Sequence, residues 1–141
     1  MSYVKRILLV VFLFQALGCS ASSKNPDFQV YWTQFRTASM SSPYTAMADL
    51  TKLPLEVKGV DDSEPVVHYG SDELNTIFPK LLSQVVYQSN GDDLLETTMG
   101  EIVKKMEKVT YDPKATSIRI EQFQFNVVNG KWLLVRAYLE E

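Results

Sequence analysis

Residues 118–139 read IRIEQFQFNVVNGKWLLVRAYL, and this stretch decides the fold. Asn129-Gly130 is a two-residue hairpin signal, because both positions of a type I′ turn need positive φ. Apolar residues alternate on either side of it. Phe123, Phe125 and Val127 share one parity before the turn, and Lys131 to Leu139 return after it. Ile118 and Ile120 have the opposite parity to the phenylalanines, so one extra residue near Glu121 or Gln122 is expected to form a bulge that keeps both sets on the core face. A long closing hairpin with one buried face needs something apolar to cover it.

That cover is written near the other end of the chain. Phe28, Tyr31, Trp32 and Phe35 fall at i, i+3, i+4 and i+7, an aromatic stripe along one face of a helix. Asn25 is read as its cap, Pro26 as its first residue and Asp27 as an acid suited to the positive end of the helix dipole. Ser42-Pro43-Tyr44 starts a second short helix with Ala46, Met47 and Leu50 on its buried side.

Between these ends the period changes. Leu53, Leu55 and Val57 alternate with polar neighbours over 52–58 and predict a half-buried strand, with Pro54 placing it at a sheet edge or at its first pairing position. Gly59 and Asp61-Asp62-Ser63-Glu64 turn the chain into a second short strand, 65–69. Ser71-Asp72-Glu73 opens a helix carrying Leu74, Ile77, Phe78, Leu81 and Leu82, which Pro79 should kink or divide. After Asn90-Gly91-Asp92-Asp93, the spacing of Leu95, Met99, Ile102 and Met106 predicts a last helix, with acids early and lysines late as its dipole favours.

Two helices, two short strands, two helices and a closing hairpin make an α+β order, with a curved antiparallel sheet wrapped around the aromatic face of the first helix. The 141 residues, 45% hydrophobic and 22% charged, suit one globular domain and exclude a second sizeable one. With 14 Lys+Arg against 17 Asp+Glu there is no basic excess to attract a nucleic-acid backbone. A single cysteine excludes an internal disulfide and a multi-cysteine metal cluster.

That cysteine, Cys19, ends a patterned leader. Lys5 and Arg6 precede the apolar run Ile7 to Phe14, and Gln15-Ala16-Leu17-Gly18 leads out of it, the order of an export signal. Eight apolar residues rise about 12 Å as a helix, well short of the ~30 Å hydrocarbon core. Ala16-Leu17-Gly18-Cys19 resembles the lipobox of bacterial lipoproteins. The resemblance implies a signal peptide over 1–18, a diacylated Cys19, a tether over 19–25 and a domain over 26–141. Ser20, in place of the aspartate that favours inner-membrane retention in Gram-negative lipoproteins, implies an outer-membrane lipoprotein facing the periplasm. A buried core thiol at Cys19, or cleavage after Ala21 to release a soluble protein, are the other readings. Signal removal takes two cations with it, so attachment to an anionic membrane would come from the lipid.

The element order of residues 26 to 140 resembles the NTF2-like (cystatin-like) superfamily. Tyr31-Trp32-Thr33-Gln34-Phe35-Arg36, Leu53-Pro54-Leu55-Glu56-Val57-Lys58-Gly59, Phe78-Pro79-Lys80-Leu81-Leu82 and Asn129-Gly130-Lys131-Trp132 look like segments of small exported bacterial proteins of that fold. The resemblance implies a cone-shaped domain that hosts both enzymes and binding modules. Function therefore has to be argued from a site.

No phosphate loop, nucleophile elbow or two-histidine metal site is present in the sequence, and no cofactor is expected. His68, the single histidine, is the candidate acid or base, beside Tyr69 on a strand whose neighbour carries Glu56, with Arg36 or Tyr138 as partners around a pocket. Tyr31 and Trp32 are candidates for ligand stacking, against a core-packing role. The two functional readings are a lipid-anchored, non-catalytic binding or assembly module of the cell envelope and a small periplasmic enzyme using His68. Expected partners are the membrane, and either a second copy or another envelope protein. An open or a filled cone separates the two readings.

Overall fold

The computed structural model describes residues 24–140. The leader, Cys19 and most of the tether lie outside the described residues. Helix α1 spans Phe28–Ser39, a 3₁₀ helix spans Tyr44–Leu50, and strands β1 (Thr51–Lys58) and β2 (Val67–Tyr69) follow. A short 3₁₀ turn, Ser71–Glu73, runs into α2 (Leu74–Ser83). Then come β3 (Val85–Asn90), β4 (Asp93–Thr98), α3 (Met99–Lys105), β5 (Ser117–Ile120), β6 (Phe123–Val128) and β7 (Lys131–Tyr138). The class is α+β as expected, built on an open five-stranded sheet in the order β2-β1-β7-β6-β5 with β3-β4 as a separate hairpin.

The aromatic stripe faces inward. Phe28, Trp32 and Phe35 are fully buried, and they meet Phe125 of β6 and Trp132 of β7 edge-on, with centroids 5.1 Å apart for Phe35–Phe125 and 4.9 Å for Phe28–Trp132. The 3₁₀ helix and α2 close the core with Met47, Leu74, Ile77, Phe78 and Leu81. Asn129 and Gly130 have φ of 49° and 78°, as their turn requires.

Several expectations are corrected. The cap of α1 is Asp27, whose carboxylate accepts the Gln29 N–H at 2.8 Å, while Asn25 bonds the carbonyls of Lys114 and Ala115. The sheet is mixed rather than antiparallel, because β1 runs parallel to β7. Pro54 lies in a strand with neighbours on both sides. The register of β1 against β7 shifts between Thr51 and Glu56, and that irregular stretch accommodates the missing N–H and leaves Leu53 exposed. Pro79 does not divide α2, which runs unbroken from Leu74 to Ser83.

Two further differences concern chain reversal. Ile118 and Phe125 stay on one face because the chain turns back at Glu121-Gln122, with Ile120 opposite Phe123, and not through a bulge. The bulge lies instead on β7, where Val135 is the extra residue between the pairs Phe125–Leu134 and Gln124–Arg136. Residues 93–98 are strand rather than helix. Asn90-Gly91-Asp92-Asp93 is a hairpin turn, and α3 begins only at Met99, capped by the Thr98 hydroxyl.

Candidate functional site

The face of the sheet away from α1 carries one polar residue per strand in a single row. The pairing register sets His68 opposite Glu56, Glu56 opposite Arg136, Arg136 opposite Gln124 and Gln124 opposite Arg119. Alternation explains the arrangement. Leu55, Val57 and Ala137, the neighbours of Glu56 and Arg136, point into the core, so the charged residues between them point out.

At the centre, Arg136 donates to one carboxylate oxygen of Glu56 through both Nε at 2.9 Å and Nη2 at 2.6 Å. The other oxygen, Oε1, faces His68 Nε2 at 3.9 Å, too far for a hydrogen bond. The bond from Arg136 holds the Glu56 carboxyl below the usual glutamate range, and the same contact raises the pKa of Arg136. The His68 side chain is 53% exposed, so the imidazole stands at the edge of the sheet in water.

The row continues in the opposite direction. The Arg119 guanidinium lies 4.3 Å from the ring centre of Tyr138, a cation–π geometry, and its Nε donates to the Glu121 carbonyl. Gln124 reaches the Ser117 hydroxyl and the Asn126 amide oxygen. Tyr138 stands opposite Lys58, whose ammonium pairs with Asp62 at 2.6 Å. The surface thus presents matched charges and amides. Its chemistry is that of polar contact, with a carboxylate and two arginines able to recognise complementary groups.

The structure brings His68, Glu56 and Tyr138 onto one face, but Arg36 belongs elsewhere. From α1 on the covered side, Arg36 donates to the carbonyls of Val103 at 2.8 Å and of Lys104, at the end of α3. A cation there suits the negative end of that helix. Tyr31 and Trp32 are core residues. Trp32 donates from Nε1 to the Met106 carbonyl at 2.7 Å, and Tyr31 from its hydroxyl to the Leu50 carbonyl at 2.7 Å. Burial pushes the Tyr31 phenol well above its ordinary pKa, and only an edge of the residue borders a surface groove beside Asp49 and Lys131.

Sequence reasoning missed Arg136. The signal was a cation in the middle of the apolar run Trp132 to Leu139, matched by Glu56, the one acid of β1. Among the described residues, no group of three His, Cys, Asp or Glu could hold a metal ion. No family model matches the chain, and comparisons with curated proteins and with solved structures find no match.

Proposed function

We propose that this chain is a lipid-anchored protein of the cell envelope, held by Cys19 at the periplasmic side of the outer membrane, with a non-catalytic binding or assembly domain of NTF2-like type. The observation that carries the non-catalytic part is the filled space beneath α1. Phe28, Trp32, Phe35, Phe123 and Phe125 are each fully buried there and leave the side of the sheet covered by α1 packed with rings. An NTF2-like enzyme would need that side open around its acid or base. His68 is on the opposite, solvated face, and Arg36 is engaged with α3.

The anchoring part is supported by the leader pattern and by the position of the single cysteine. Asn25 is fixed to the 114–115 backbone, so the five residues between Cys19 and Asn25, acting as a tether, would hold the domain within about 20 Å of the bilayer. Metabolic labelling with a fatty acid tests this part. The wild-type chain is expected to take up label and lose residues 1–18, whereas Cys19→Ser stays unlabelled at precursor mass. Equal labelling and mass in both would remove the anchor from the proposal.

A further inference from the structure

The described residues contain four strands with a free edge, and three of them carry a feature that discourages pairing with another chain. Strand β2 has only three residues. Strand β5 has four and bears Arg119. Strand β4 carries Asp93 and Glu96. Strand β3, Val85-Val86-Tyr87-Gln88-Ser89-Asn90, has six residues with no charge, proline, glycine or bulge, and its first three are strong strand formers.

No backbone hydrogen bond joins β3 to any strand but β4 among the described residues. Asn90 and Asp93 close a two-residue turn, so they exchange both of their backbone bonds, as do Gln88 with Leu95 and Val86 with Thr97. Val85, Tyr87 and Ser89 therefore aim their N–H and C=O groups away from β4, at the free edge. Val85 is 41% exposed, Tyr87 62%, and Leu94 on the same face of the hairpin 72%. A two-stranded hairpin in water is marginal by itself and is strengthened by further strands.

We propose that β3 pairs antiparallel with β3 of a second copy of this chain, about a two-fold axis through Tyr87, giving a continuous four-stranded sheet. This register places Tyr87 opposite Tyr87 of the second copy and Val85 opposite Ser89, so every outward N–H and C=O on both edges gains a partner. A two-fold interface must be self-complementary, and a neutral edge meets that condition. The equivalent pairing of β4 about Glu96 would set two carboxylates against each other. The inference rests on the edge of β3 alone and stands apart from the lipid anchor.

The test uses the detergent-solubilised full chain in light scattering and sedimentation equilibrium, with hydrogen exchange read residue by residue. The wild type is expected to be a dimer with slow exchange at the amides of Val85, Tyr87 and Ser89. Tyr87→Phe should retain the dimer. Tyr87→Lys and Ser89→Lys should each raise the dimer dissociation constant at least about tenfold and release those three amides, with the circular dichroism spectrum unchanged and the urea midpoint equal to that of the wild type when both are diluted to monomers. A wild type that is monomeric at about 0.1 mM overturns the proposal, whether or not it captures some other extended peptide. So does a dimer that both lysine variants leave intact, since it would use another surface.

Discussion

Arg136 grips a single oxygen of Glu56 across the parallel pair β1–β7, leaving the second carboxylate oxygen turned toward His68. The contact joins residues 80 apart in the chain, and it depresses the pKa of the carboxyl. A depressed carboxylate stabilises the fold above its unfolded pKa, and that contribution is lost as pH falls through its folded pKa. Both side chains are about a third exposed, so solvent screens the pair and the effect is that of a surface ion pair. Glu56→Gln should cost under about 1 kcal/mol at pH 7. The cost should shrink as pH drops below the usual glutamate value near 4.3 and vanish below the lower pKa of the folded state. Urea unfolding of both proteins at pH 7 and pH 3 checks it; a difference that does not shrink between the two would mean that the glutamine damages the strand itself.

Trp32 is fully buried, stacks on Phe35 at 5.6 Å between ring centres and donates to the Met106 carbonyl. Trp32→Ala removes a large core side chain and leaves that carbonyl without its donor. A loss of about 3–5 kcal/mol is expected in urea unfolding, out of ~5–15 kcal/mol for a typical domain. A loss under about 1 kcal/mol would mean that the indole is not in the core.

Arg36 ties α1 to the C-terminal end of α3 through two carbonyls. Arg36→Met keeps much of the aliphatic stem but removes both donors, so about 1–3 kcal/mol should be lost. Hydrogen exchange should rise in Ile102 to Lys105 before the main sheet opens. Uniform loosening across β6 and β7 instead would place the role of Arg36 in the core as a whole.

The parts of this fold that could be read from the chain are those governed by local periodicity. Phe28, Tyr31, Trp32 and Phe35 announce α1 through their spacing, and Asn129-Gly130 announces its turn because few residue pairs tolerate φ of 49° and 78°. The errors arose where two local signals competed or where a distant residue decided. Asn25 and Asp27 are both good caps, and the carbonyls of Lys114 and Ala115, some 89 and 90 residues away, draw Asn25 off. Leu95, Met99, Ile102 and Met106 have helical spacing. Residues 93–98 nevertheless pair with Val85–Asn90 because the turn at Gly91 brings two strand-forming runs into register. The parallel pairing of β1 with β7 has no local signature, so the row from His68 to Arg119 was legible only at its His68–Glu56 end.

His68 separates the binding module from the enzyme. Its ring is half exposed on the solvated face, 3.9 Å from the Glu56 carboxylate, and the neighbouring Tyr69 packs partly against the core. His68→Gln retains polarity and approximate length, removes the titratable group and leaves the Glu56–Arg136 bond in place. For a non-catalytic module, stability should change by less than ~0.5 kcal/mol, as for most surface substitutions. The variant should also rescue a deletion strain as well as the wild type does. For a proton-transfer enzyme the same change would remove about 10²–10⁴-fold in rate without loss of folding. A well-folded His68→Gln chain that fails to rescue would therefore move the protein into the enzyme class, with the row on the open face of the sheet, rather than the filled space beneath α1, as the place where its substrate must bind.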